Sequence, residues 1–316
     1  MTDTTPVIQA EHLKKYFPMR SKRVLKAVDD VSLSIQRGEI LGVVGESGCG
    51  KSTLGRALMG LTSATEGRVL FQGADISGLS RGAMKPYRAR MQMVFQNPFA
   101  SFNPKQRLGR ALMEVGRVHG MSAAQTEARI EELMDLIRLS AEMLERSPSE
   151  LSGGQLQRLA IARALMLNPD FIVADEPVSA LDVSVQAQIL NLIMDLRARL
   201  SMTMLFISHE MTVVEHICDR VAVMYLGRIV ETAPTDELFG RLTHPYAQAL
   251  ISAIPVADPE RKSARIVLEG DIPSAIDLPE GCSFASRCPR RTDECLKRRP
   301  ELVDIGRDHY VACYHM

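Results

Sequence analysis

The run Gly45-Glu46-Ser47-Gly48-Cys49-Gly50-Lys51-Ser52 has two glycines, a lysine and a hydroxyl in the order G-x-x-x-x-G-K-[ST], with Gly48 between them. Such a loop binds phosphate chemically. Its glycines let successive backbone N–H groups point inward, and a helix opening behind it adds unpaired donors and a positive dipole end. Lys51 is expected to reach β/γ-phosphates and Ser52 to ligate Mg²⁺. A second element, Phe171-Ile172-Val173-Ala174, ends in Asp175 and Glu176. Asp175 at a strand end is placed to hold Mg²⁺, and Glu176 beyond it to orient or deprotonate an attacking water. These two elements predict a site for a nucleoside triphosphate; the phosphate loop alone leaves kinases, GTPases and helicases open.

Both need an α/β scaffold, and the patterning supplies one. Val31, Leu33 and Ile35 alternate with polar neighbours as in a half-buried strand. Arg37-Gly38 then turns the chain into Ile40–Val44, an apolar run expected to be a buried parallel strand that delivers the phosphate loop. Val69-Leu70-Phe71 and Met204-Leu205-Phe206-Ile207 read as further strands, and Gly60 as a helix end. From about 105 to 165 the pattern is helical. Ser122 with Gln125 makes a capping box, followed by Ile130, Leu133, Met134 and Ile137 on one face. Val185, Ile189, Leu192, Ile193, Leu196 and Leu200 mark another helix. The alternation predicts a mainly parallel sheet with an inserted helical block. After about residue 240, Pro245, Pro255, Pro259, Pro273, Pro279, Pro289 and Pro300 predict a loop-rich unit of its own.

The chain has 316 residues, enough for two domains. Its 38 Lys+Arg balance 38 Asp+Glu, so it lacks the basic excess that gripping nucleic-acid phosphates requires. No apolar stretch approaches the roughly 18–20 residues that span a bilayer, and the N-terminus has no apolar signal region, so a cytosolic protein is expected.

Leu151-Ser152-Gly153-Gly154-Gln155 matches a signature motif, and with it the chain resembles the ABC ATPases. The resemblance covers the first 240 residues. It implies an antiparallel β subdomain beside the main sheet, a nucleotide-binding domain at 1–240 and a helical subdomain at about 97–165. It implies that Gly45, Ser47, Gly48, Cys49, Gly50, Lys51, Ser52 and Thr53 contact ATP, and that Mg²⁺ is held by Ser52, Gln96 and Asp175. Gln96 resembles the Q-loop glutamine, Ser179-Ala180-Leu181-Asp182 the D-loop, and His209 the H-loop histidine that contacts the γ-phosphate and acts with Glu176. Phe17, with Tyr16 as the alternative, is the candidate to stack on adenine. In this family Ser152, Gly153, Gly154 and Gln155 of one subunit cover the ATP of another, so one chain holds an incomplete site.

Asp175–Ser184, Met224-Tyr225-Leu226-Gly227 and His244-Pro245-Tyr246-Ala247-Gln248-Ala249-Leu250 are similar to dipeptide/oligopeptide importer ATPases, extending the resemblance to the whole chain, with residues 241–316 as that group's extension. His244-Pro245 also reads simply as a helix start. The resemblance implies a peripheral subunit at the cytoplasmic face of the inner membrane. It would dimerise, as a heterodimer with a paralogous second ATPase subunit. Its further partners would be two membrane permease subunits and an extracytoplasmic solute-binding protein. Nickel and glutathione importers share these features, and a soluble ABC ATPase of DNA repair or translation is the remaining alternative.

Four of six cysteines, Cys282, Cys288, Cys295 and Cys313, lie in the tail. Structural zinc sites show tighter C-x₂₋₄-C pairs, whereas iron-sulfur clusters take looser spacings. With the resemblance to importer ATPases that carry one, an iron-sulfur cluster of the 4Fe-4S type is expected, with zinc or free thiols as alternatives. Cys218 reads as a core residue.

Overall fold

The computed structural model describes residues 5–20, 23–253, 266–268, 270 and 273–316. β1 (Ile8–Pro18) and β2 (Val24–Ile35) pair antiparallel, with Ile8 opposite Ile35. After β3 (Ile40–Val44) the phosphate loop leads into α1 (Lys51–Leu58), and β4 (Glu66–Phe71) and β5 (Ala74–Asp75) follow. These strands form a four-stranded sheet in the order β2-β1-β4-β5, leaving β3 to a second sheet.

The chain then runs through α2 (Lys85–Arg90) and β6 (Met91–Val94) into α3 (Leu108–Val118), α4 (Ala123–Leu136) and α5 (Gly153–Leu165). β7 (Phe171–Asp175), α6 (Val183–Leu200), β8 (Met204–Ser208), α7 (Met211–Ile217), β9 (Arg220–Tyr225) and β10 (Arg228–Pro234) restore the alternation. α8 (Thr235–Gly240), α9 (Pro245–Ser252), α10 (Asp293–Lys297), β11 (Val303–Asp304) and β12 (Tyr310–Val311) close the chain. The second sheet has the order β11-β12-β10-β9-β3-β8-β7-β6. Its β9-β3-β8-β7-β6 portion is parallel and its other edge antiparallel. This is the α/β architecture expected from the sequence.

The central strands are apolar up to the polar ends of β7 and β8, Asp175 and Ser208, because both faces are covered. Alternate side chains point opposite ways. Ile40, Val44, Ile172, Ala174, Met204 and Phe206 enter one core, shared with α5 and α6. Leu41, Val43, Phe171, Val173, Leu205 and Ile207 enter the other, shared with α1 and the antiparallel sheet. At about 1.5–3 kcal/mol for each large side chain removed from water, these two layers fix the strand ends that carry the chemistry. The helical block is anchored the same way. Ser122 and Gln125 form the expected capping box, and Ile130, Leu133 and Met134 of α4 meet Leu108 and Leu112 of α3 in the first core.

The tail is less separate than its prolines suggest. Pro255 and Pro259 lie outside the described residues, but β12 pairs with β10, Glu231 opposite Val311. Phe284 is buried in the first core. A buried polar pair holds this junction: His309 Nε2 lies 2.7 Å from Glu231 Oε1, and the Glu231 carboxylate accepts from the N–H groups of Thr243 and His244 at 3.0 Å each.

Candidate nucleotide-binding and hydrolysis site

The phosphate loop sits between β3 and α1, at the carboxyl end of the parallel sheet. Only glycine fits at Gly50: its φ is 109°, and a Cβ there would lie 2.0 Å from the Ala27 carbonyl oxygen. Gly45 is equally confined, its Cβ falling 2.1 Å from the Met224 oxygen. β2 and β9 thus press the loop into its curve. Lys51 is buried, and its Nζ donates to the carbonyls of Gly45 at 2.7 Å and Glu46 at 3.0 Å. Among the described residues no carboxylate pairs with it. A buried ammonium hydrogen-bonded to loop carbonyls and paired with no carboxylate is suited to an incoming anion.

Ser52 at the start of α1 donates to Asp175 Oδ1 at 2.7 Å. Burial raises the Asp175 carboxyl above its ordinary value, an effect that the Ser52 hydrogen bond and Arg56 oppose. These hard oxygens, on a carboxylate in need of positive charge, fit Mg²⁺. Gln96 does not join them. Its Nε2 donates to Glu176 Oε2 at 2.8 Å and lies 3.4 Å from Ser179 Oγ.

Glu176 leaves β7 with φ 48°, a left-handed conformation that costs a non-glycine residue about 1–2 kcal/mol. The turn is held by its N–H donating to Ile207 O at 3.0 Å and by Ser179 Oγ donating to its carbonyl at 3.1 Å. The strained turn points the carboxylate toward Gln96 and His209, whose Nδ1 is 3.4 Å from Oε2. Residues 96, 176, 179 and 209, far apart in sequence, therefore converge, and their Glu176 adjoins the Asp175 that accepts from Ser52.

The signature lies elsewhere. Ser152 caps α5, accepting from Gln155 N–H at 3.3 Å while Gln155 Oε1 accepts from Ser152 N–H at 3.0 Å. A Cβ on Gly153 or Gly154 would meet Leu181 or Val185, so the motif packs on the D-loop and the start of α6. Among the described residues no hydrogen bond or ion pair joins Ser152–Gln155 to the phosphate loop. Of the two aromatic candidates, the Tyr16 hydroxyl is committed to Asp29, whereas Phe17 stays exposed with Lys15 Nζ 4.8 Å from its ring centre.

Comparison with known proteins accounts for this arrangement. Residues 28–179 match the ABC transporter family, and residues 230–295 match the C-terminal region of oligopeptide/dipeptide transporters. The oligopeptide transport ATP-binding protein AppF of Bacillus subtilis is 48% identical over 318 residues, covering 98% of this chain and 97% of AppF. The chain belongs to the ABC transporter ATP-binding family. Solved members of the family share its fold. The MJ0796 cassette, described as a post-hydrolysis dimer bound to ADP and Pi, has a TM-score of 0.66 and 27% identity, covering 72% of this chain and 98% of that one. The cbiO1 subunit of the Clostridium perfringens cbiONQ transporter has a TM-score of 0.67 and 25% identity, covering 75% and 92%. As a member of the ABC family this protein is an ATPase that uses ATP and Mg²⁺.

The expected iron-sulfur cluster is corrected, and zinc with it. Among the described residues, which include all four tail cysteines, no group of three or more His, Cys, Asp or Glu is arranged to hold a metal ion. The thiols are free and packed. Cys295 is buried, with Sγ 3.5 Å from Thr292 Oγ1 and 3.6 Å from His315 Nε2, and Cys313 Sγ accepts from His315 N–H at 3.4 Å. Burial pushes the Cys282 thiol up to about 11 and raises Cys288 and Cys313 as well. Cys282 and Cys288 instead pack against the main core, and Cys218 is buried as expected.

Two contacts to the loop had no signal in the sequence: Tyr246, quoted above only within the motif 244–250, accepts with its hydroxyl from Glu46 N–H at 2.8 Å, and Arg287 pairs with the Glu46 carboxylate. Their partner is about 200 positions or more away in sequence, beyond the reach of any periodic pattern.

Proposed function

We propose that this chain hydrolyses ATP to power the import of di- and oligopeptides, as a peripheral subunit at the cytoplasmic face of the cell membrane. The observation that carries this reading is the likeness to AppF over nearly the full length of both chains, with the tail matching the oligopeptide/dipeptide transporter C-terminal region. Among the described residues no helix is long and apolar enough to cross a membrane. Membrane passage therefore falls to two permease subunits supplied by an extracytoplasmic solute-binding protein. A second, paralogous ATPase subunit completes the site with its own signature. In this reading residues 1–240 are the nucleotide-binding domain, about 97–165 its helical subdomain, and 241–316 an importer extension.

In this reading the loop amides from Gly45 to Thr53 and Lys51 hold the phosphates, and Phe17 stacks on adenine. Ser52 and Asp175 would hold Mg²⁺, which when bound neutralises charge on the β/γ-phosphate oxygens. The Glu176 carboxylate takes a proton from the attacking water, ATP and water giving ADP and phosphate. His209 contacts the γ-phosphate, and Gln96 links the catalytic carboxylate to the helical block that follows it in the chain. Ser152, Gly153, Gly154 and Gln155 contact the partner's ATP. The test is uptake of a labelled tripeptide by cells lacking the chain. The wild-type gene restores uptake and Lys51→Ala does not; restoration by Lys51→Ala, or uptake indifferent to the chain, contradicts the reading.

A further inference from the structure

Glu46 places a carboxylate in the phosphate loop itself, where it would repel the triphosphate unless it is held aside and neutralised. Every polar group of Glu46 is engaged. Its carbonyl accepts from Lys51. Its N–H donates to the hydroxyl of Tyr246 at 2.8 Å. Its carboxylate takes both arms of Arg287, Nη1 at 2.8 Å and Nη2 at 3.0 Å. Two of these three holds come from the C-terminal extension.

The holding groups are themselves rigid. Arg287 has a side chain only 7% exposed. Tyr246 is fully buried, its ring 4.6 Å from that of Tyr225 and 5.4 Å from that of Phe284. Tyr225 ends β9, the strand that packs beside the loop, and Phe284 precedes the turn that carries Arg287. The same extension touches β2 on the other flank, where Lys26 N–H donates to Ala275 O at 3.0 Å and Arg299 pairs with Asp29 at 3.2 Å. A bidentate guanidinium–carboxylate pair fixes orientation as well as charge.

We propose that Arg287 is a positioning residue for ATP binding: acting through Glu46, it sets the phosphate loop's shape and cancels the one anionic side chain in it. The C-terminal extension is thereby a working part of the ATP site, and changes in the extension reach the nucleotide through this pair. The proposal rests on the reading of Gly45–Ser52 as the phosphate loop.

The test is ATP affinity of the full chain, with KM and kcat for hydrolysis, for Arg287→Ala, Arg287→Lys, Glu46→Gln and the double variant Arg287→Ala/Glu46→Gln. Arg287→Ala is expected to weaken ATP binding about tenfold, mostly in KM, because an unpaired carboxylate now faces the phosphates. Arg287→Lys restores part of the loss. In the Glu46→Gln background removal of Arg287 has little further effect, a coupling that general loosening of the tail does not produce. Unchanged affinity in Arg287→Ala, or losses that simply multiply in the double variant, overturns the proposal. If Arg287→Ala does not fold, Arg287→Lys and Arg287→Gln in the presence and absence of Glu46→Gln carry the same comparison. Lys51→Ala separates the two levels: ATP binding undisturbed by that change defeats the phosphate-loop reading, whereas its loss beside an unaffected Arg287→Ala defeats this proposal alone.

Discussion

At the scale of single residues, burial decides which groups keep their protons. His244 caps α9 by accepting from Tyr246 N–H at 3.1 Å, and burial pushes its pKa down from 6.5 to about 3. Below pH 6.5 the unfolded chain therefore gains a proton that the folded chain refuses, and stability falls as pH drops from 6.5 towards 3. The loss from this group is about 2 kcal/mol at about pH 5. Denaturant midpoints compared at neutral and acid pH should show that slope, reduced in His244→Asn, which retains a capping acceptor. An identical slope in the variant would remove His244 as its source. The tail thiols show where spacing misleads: Cys282, Cys288, Cys295 and Cys313 are near one another in sequence, yet among the described residues no group of three or more His, Cys, Asp or Glu is arranged to hold a metal ion.

At the scale of elements, what was legible was what has a period or a local rule. Ile40–Val44 and Met204–Ile207 are apolar at every position because each strand serves two cores, and the capping boxes at Ser122 and Ser152 are complete within four residues. The phosphate loop was legible because its geometry forces residue type. Gly50→Ala should show this: a Cβ 2.0 Å from a backbone oxygen must displace β2 or the loop. The expected result is a loss of about 1–3 kcal/mol in stability and an ATP affinity at least about tenfold weaker. Calorimetry and nucleotide titration of the variant read both, and wild-type affinity would mean that the loop's curve is not set there. Contacts made across the chain had no such signal. Nothing around Glu231 announces His309, nor does anything around Glu46 announce Arg287, and the pairing of β12 with β10 turns a proline-broken tail into an edge of the main sheet. The contact of the Tyr16 hydroxyl with Asp29, a residue of the neighbouring strand, is likewise one that the sequence does not announce.

At the scale of the molecule, the sheet gathers Lys51, Ser52, Asp175, Glu176 and His209 at one end of its strands, while the signature opens α5. In the proposed dimer, ATP bound to one chain would take the second half of its cover from the partner's signature. Binding that favours the closed pair and hydrolysis that removes the favour would convert ATP into a cycle of closure and release. The central claim is that Glu176 carries the hydrolytic step while Lys51 and its loop carry binding. It is tested most directly by incubating the full chain bearing Glu176→Gln with labelled ATP and Mg²⁺, then identifying the nucleotide retained. The account predicts intact ATP bound at wild-type affinity, with turnover reduced about a hundredfold or more. ADP formed at the wild-type rate would contradict it.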